Sequence, residues 1–293
     1  MSGDPSSTCP SPDDARRGWP DPPPGPLRVG YGPTVWFGAH LPLIAVDGSQ
    51  SPPLTRYTEA AHDAGFTAIC ANYHVVFSSP WLDGLVALSS VVDSTADMTL
   101  ATTVALPVIR GPATLAKAAA ALSELSSGRF VLGVGAGSSA ADYAAAGIPF
   151  DERWPRFDES VHLLRRRRVS RLGDGWLASA YNTTPDRIAT GRDYLRGIGN
   201  GARRPVRDVP IVLATMWAHV TESPAQARRW LDALARLLRR DTDTIAGQLL
   251  VGSAEHCVEV LARYDAAGVV VWPVEDPVDQ LTRVGEVVIP HLR

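Results

Sequence analysis

Three times in this chain a helix-like stretch runs into a glycine and a short apolar, β-branched run begins at once: HDAGFTAIC (62–70), ELSSGRFVLGV (124–134) and YDAAGVVVW (264–272). RLGDGWLASA (171–180) is a weaker fourth copy. A glycine just past a helix end supplies the left-handed conformation that stops the helix. Short unbroken apolar runs suit strands covered on both faces. Helices that feed directly into buried strands call for a parallel sheet wrapped by helices, because a parallel pair needs a long crossover between its strands.

Three more runs read as strands: TVWFGAHLPL (34–43), MTLATTVAL (98–106) and VPIVLATMW (209–217). Together they make seven strand candidates, at 34–41, 67–72, 98–105, 129–134, 174–178, 209–215 and 268–273. Helical spacing fills the intervals. Leu115, Ala119, Leu122 and Leu125 share a face after Pro112, and Leu231, Leu234 and Leu238 share one after Ser223-Pro224, an N-cap followed by proline in the first turn. This alternation over most of 293 residues fits one TIM-type (β/α) barrel better than two domains; an open doubly wound sheet is the alternative.

The beginning of the chain is different. Its first 26 residues hold eight prolines among Ser, Asp and Gly, too little apolar surface to offset the entropy of ordering. Residues 1–30 therefore read as a disordered tail and 31–293 as the barrel domain. The tail lacks the basic and apolar regions of a secretory signal, and no apolar run is long enough to span a membrane. A net charge of −3 gives no general attraction to nucleic acid or to a membrane surface. Arg165–Arg168 with Arg171 is the local exception and reads as a solvated helix face. Cys9, Cys70 and Cys257 are scattered, without the spacing of disulfides or of a metal site, so the expected compartment is the cytoplasm. The expected partner is a small-molecule substrate, and a homodimer is left open.

The richest short stretch is GRFVLGVGAGSSAADY (128–143). Gly135-Ala-Gly137-Ser-Ser-Ala140 formally satisfies the dinucleotide fingerprint GxGxxG/A. That fingerprint requires a second strand soon after the helix, closed by an acidic residue. GIPFDERWPRFDES (147–160) follows instead, polar and punctuated by prolines, so the dinucleotide reading fails.

GRFVLGVGAG, Tyr143 and AGIPFDERWPRFDES together resemble the bacterial luciferase-like monooxygenase family. FGAHLP (37–42), ANYHVVFSSP (71–80), LATTVALPVIRGPATLAKAAAALSELSSGRF (100–130), GDGWLASAYNTTP (173–185) and LLVGSAEHCVEVLARYDAAGVVVWPVEDPVDQL (249–281) agree with it, so the resemblance runs over roughly residues 34–293. It implies a (β/α) barrel that binds FMN or the deazaflavin coenzyme F420 at the C-terminal mouth of its strands and acts as an oxidoreductase or monooxygenase on a small organic substrate. A degenerate barrel that binds a flavin-like ligand or a protein partner without turnover is the alternative.

Candidate site residues follow from strand ends, where a barrel presents side chains to its mouth. His40 and His74 end the first two strand candidates and are the candidate catalytic residues, since imidazole exchanges protons near neutral pH. The resemblance matches His74 to a family histidine, although Tyr73 stands where relatives carry an acidic residue. Thr103 and Val104 fall where deazaflavin enzymes of the family place a non-proline cis peptide behind the cofactor ring. Arg110, just beyond, could hold a phosphate or cap its loop. Gly135, Gly137 and Ser138 would bring backbone and hydroxyl close to cofactor, whereas Gly133 reads as room for a neighbouring side chain. Ser138 stands where some relatives carry an acidic catalytic residue, which weighs against a sugar-phosphate dehydrogenase. Trp176, Tyr181 and Trp217 could line an apolar pocket, and Trp272 reads as core. No metal site is indicated.

The chain departs from the family at one place. Relatives carry several dozen residues, including the fifth barrel strand, between the RFDE helix and the GDGW strand, whereas SVHLLRRRRVSRLGDGW joins them directly. This apparent internal deletion around 165–172 predicts an incomplete or seven-stranded barrel. FDESVHLLRRRRVSRL (157–172) has helical spacing with Phe157, Val161, Leu164 and Leu172 inward. With no residues left for a strand there, the strand at 129–134 is expected to pair directly with that at 174–178.

Overall fold

The computed structural model describes residues 35–44, 52–77, 79–166, 175–199 and 209–292. The tail at 1–30, the side chains of Arg165–Arg168, and Arg171 and Leu172 lie outside the described residues. In chain order the first half contains β1 (Trp36–His40), α1 (Leu54–Asp63), β2 (Ala68–Ala71), α2 (Gly84–Ser90) and β3 (Thr99–Thr102). It continues with α3 (Pro107–Arg110), α4 (Pro112–Leu125), β4 (Phe130–Val131), α5 (Ala140–Ala145) and α6 (Arg153–Arg166). The second half holds β5 (Trp176–Ser179), α7 (Pro185–Gly199), β6 (Ile211–Val220), α8 (Pro224–Leu238) and α9 (Thr242–Ala246). β7 (Leu250–Gly252), α10 (Ala254–Ala262), β8 (Gly268–Pro273) and α11 (Pro277–Val287) complete it.

The expected local devices are present. Gly65 and Gly128 take φ of 82° and 81° after α1 and α4. At the third copy the left-handed residue is Asp265, at φ 46°, not the glycine. Gly268 answers to packing instead, since a Cβ there would lie 2.6 Å from the Trp36 indole. Ser223 caps α8 by accepting from the Gln226 N–H, and Leu231 and Leu234 are buried below it. Leu115 and Leu122 are buried as their spacing requires, but Leu125 is 64% exposed. Ser126 takes the inward position instead, four residues after Leu122, because a 3.6-residue period carries Leu125 past the seam.

Every strand pair is parallel, and the strands run in the order β4-β3-β2-β1-β8-β6-β5. β7 pairs with the far half of β6, on the edge whose near half holds β5. The described residues thus hold eight strands rather than seven. Leu250–Gly252 escaped the sequence reading because three residues carry no readable period.

Among the described residues the barrel does not close. β4 and β5 stand at the two ends of the path and do not pair, contrary to the expected direct pairing. Side chains nevertheless meet across the seam: a Cβ added to Gly133, just past β4, would come within 2.5 Å of Leu177 on β5. α6 begins at Arg153, four residues earlier than expected, and is helical through Arg166, with Leu164 and Ser160 buried and Phe157 and Val161 half-buried. No strand occurs in the described part of 157–173.

Alternate residues of each strand face opposite sides of the sheet. One set packs under the helices in a large outer core. The other forms a small inner cluster of Ala68, Cys70, Ala101, Val212 and Val270, with Trp36, Val131 and Leu177 packed against it. Its residues are mostly small because Trp36 fills the floor, and a Cβ at Gly38 would already sit 3.1 Å from that indole.

Candidate functional site

The C-terminal ends of β1, β2, β3, β6 and β8 gather the polar and aromatic side chains that the sequence singled out. His40 ends β1 and is fully buried. Its Nδ1 lies 2.8 Å from the Leu41 carbonyl, which can only accept, so Nδ1 carries the hydrogen and Nε2 is a bare acceptor. Nε2 has no partner among the described residues. Burial holds this imidazole neutral, its pKa lowered to about 3. One face stacks on Trp272 at 3.8 Å between ring centroids, and the other face of that indole stacks on Trp217 at 4.1 Å. Trp81 meets Trp272 edge-on at 5.6 Å. Both Trp217 and Trp272 are buried, so the pair is core to the mouth rather than an open wall.

His74 lies just past β2, half-buried, with Nδ1 2.8 Å from Asp142 Oδ2. The other carboxylate oxygen accepts from the backbone N–H groups of Val75 at 3.0 Å and Val76 at 2.8 Å. Asp142 is almost entirely buried. Sequence reasoning passed over it, since an aspartate among the alanines of a short helix has no local signature. Trp81, 4.7 Å from the His74 ring, was missed as well.

Thr103 and Val104 follow β3, and the bond between them is cis. Thr103 is buried and its hydroxyl lacks a partner among the described residues. The glycines of the fourth strand lie against this segment. A Cβ on Gly133 would fall 2.1 Å from the Thr102 carbonyl oxygen, one on Gly135 2.8 Å from the Val104 side chain, and one on Gly137 3.1 Å from Leu106. Close approach to the neighbouring chain therefore accounts for all three, and Gly137 also has φ of 80°. Ser138 is exposed, and Ser139 caps α5 through the Asp142 N–H.

Arg110 is held within the protein through one nitrogen, while its buried Nε has no partner among the described residues. One guanidinium nitrogen bonds Asp83, whose other oxygen caps α2 at Leu85 and Val86, and the guanidinium lies 5.0 Å above the Tyr73 ring.

Residues 43–168 match the model of the luciferase-like monooxygenase family. That segment, less than half of the chain, is what is similar to the luciferase-like family. The chain is 32% identical over 122 residues to an F420-dependent glucose-6-phosphate dehydrogenase of Amycolatopsis mediterranei, a match covering 38% of this chain and 36% of that one. It is 30% identical over 160 residues to an F420-dependent hydroxymycolic acid dehydrogenase of Mycobacterium tuberculosis, covering 51% and 41%. These matches span less than half the length of either relative. Among solved structures, an F420-dependent secondary alcohol dehydrogenase superposes with a TM-score of 0.73 at 14% identity, covering 89% of this chain and 99% of that one. A monooxygenase from Streptomyces bottropensis follows with a TM-score of 0.64 at 18% identity, covering 88% and 100%. The fold is that of the luciferase-like barrels, left open between β4 and β5.

Proposed function

We propose that this chain is an oxidoreductase that takes F420 or FMN at the mouth of its incomplete barrel and acts on a small organic substrate. One observation carries the reading. The ends of β1, β2 and β3 and the second half of β6 each carry a buried polar atom without a partner among the described residues: His40 Nε2, Asn72 Oδ1, Thr103 Oγ1 and Trp217 Nε1. Buried polar atoms are nearly always paired, so unpaired ones on neighbouring strands favour a ligand that would pair them. His40 Nε2 and Asn72 Oδ1 accept, Trp217 Nε1 donates and the Thr103 hydroxyl does either. That set complements the alternating carbonyl and N–H edge of the pyrimidinedione ring that deazaflavin and flavin share. The ring edge therefore fits. The anionic tail finds less, because Arg110 is already paired with Asp83.

When bound, the cofactor supplies the site where a hydride is accepted or given up. The protein's part is to hold and to exchange a proton. His40 and Trp217 would orient the ring edge, Thr103 would hold it from the cis turn, and the aromatic rings of Trp81 and Phe77 would exclude water around His74. His74 Nε2 is the group left to take or return a proton. Substrate binding is expected from the apolar lip beside it, where Val75 and Val76 are exposed.

The open seam supports a second reading, a degenerate barrel that binds a flavin-like ligand or a partner without turnover. The unpaired edges of β4 and β5, and the stack of His40, Trp272 and Trp217 that fills the mouth, speak for it. A visible titration of the purified protein with F420 and with FMN separates the outcomes. A perturbed spectrum followed by substrate-dependent reduction supports the oxidoreductase. Perturbation without turnover across alcohols, aldehydes and ketones supports the degenerate barrel. No response at about millimolar cofactor, the weak end of specific binding, removes the oxidoreductase reading and leaves only a barrel that takes a protein partner.

A further inference from the structure

Asp142 is the most deeply buried carboxylate at the mouth, and three donors converge on it from one turn of chain 66 to 68 residues away. Oδ1 is filled by two backbone N–H groups, which leaves Oδ2 alone for His74 Nδ1. A carboxylate has nothing to donate, so the imidazole must present its hydrogen at Nδ1. The Phe77 and Trp81 rings, at 5.3 Å and 4.7 Å, crowd the imidazole and oppose its rotation. Nε2 then remains as the acceptor, and no hydrogen bond within the described residues uses it.

We propose that Asp142 is the positioning residue of this site. It locks His74 as the Nδ1–H tautomer and at the same time sets the Val75–Val76 backbone that carries the apolar lip. A base is useful only when the tautomer that exposes its lone pair is the one present, and an orienting carboxylate supplies that selection without touching substrate. The catalytic consequence rests on the oxidoreductase reading; the tautomer does not.

The full chain, labelled with ¹⁵N at its seven histidines, is measured by long-range ¹H–¹⁵N correlation at alkaline pH, where histidine is neutral. His74 is assigned by its loss in His74→Gln. In the unaltered protein it should be a single tautomer, protonated at Nδ1. In Asp142→Asn the amide oxygen keeps the two valine N–H bonds, so the NH₂ group faces Nδ1 and the tautomer should invert to Nε2–H. A structural salt-bridge role alone would not produce that inversion. An Nε2–H form or an even mixture in the unaltered protein overturns the proposal, and so does a folded Asp142→Asn that keeps Nδ1–H. Should the variant unfold by circular dichroism, the tautomer of the unaltered protein decides. Turnover of a folded Asp142→Asn should fall about 10²-fold with cofactor affinity unchanged. A correct tautomer in a protein that answers neither F420 nor FMN would leave the positioning intact and remove the oxidoreductase reading.

Discussion

Lowering the pH should unfold this protein through His40. In the folded chain burial keeps the imidazole neutral down to about pH 3, whereas in the unfolded chain it protonates near 6.5. Between those values the unfolded state binds the extra proton, so stability falls as pH falls. His40's contribution is fully present above 6.5 and drains away toward 3. Each pH unit in that window is worth about 1.4 kcal/mol, so pH 5 should cost ~2 kcal/mol relative to neutral pH, a large fraction of a typical domain's stability. The comparison is His40→Asn, whose amide can still donate to the Leu41 carbonyl but cannot titrate. Urea denaturation of both chains, followed by tryptophan fluorescence at a series of pH values, gives two stability curves. His219, whose pKa burial also lowers, and the carboxylates remain in both chains and cancel in the difference. The variant should be less stable at neutral pH, having lost ring volume against Trp272, yet flatter by ~2 kcal/mol between neutral pH and pH 5. Equal slopes would refute the claim that His40 is buried and neutral.

Two further tests concern the fourth strand and its neighbour. Gly133→Ala should cost ~2–3 kcal/mol by urea denaturation, because its Cβ meets the Thr102 carbonyl oxygen, a backbone atom that cannot swing aside. Gly147→Ala, at φ 68° with open space around it, should cost only about 1 kcal/mol from conformation alone; a Gly133→Ala cost no larger than that would show that the Thr102 carbonyl gives way and refute the crowding. Arg110→Ala should lower stability by ~1–2 kcal/mol and couple to Asp83→Ala in a double-mutant cycle. Weakened cofactor binding at unchanged stability would assign Arg110 to phosphate instead.

The helix-to-strand units were legible because their signals are local: a period, a glycine, a cap. Thr103–Val104 could be marked for the same reason, as a short matched stretch at a strand end. Local signals misjudged what depends on contact between distant segments. Gly135 and Gly137 drew attention as a ligand cradle, and only the fold could show that Val104 and Leu106 of the preceding unit lie against them. Arg110 could not be assigned until Asp83 and Tyr73, both earlier in the chain, were placed beside it.

The chain by itself determined a parallel α/β barrel and the strand ends at which polar groups would collect. Period, capping and the left-handed freedom of glycine act over a few residues, and their sum compels alternating helices and strands. The tertiary structure alone decided that β4 and β5 stay apart, that His40 is sealed beneath Trp272, and that Asp142 reaches back across 68 residues to orient His74. Those outcomes turn on burial and on hydrogen bonds between segments far apart in sequence. Desolvation of an imidazole, or the choice of a carboxylate's third donor, acquires a value only when the intervening chain has folded around it.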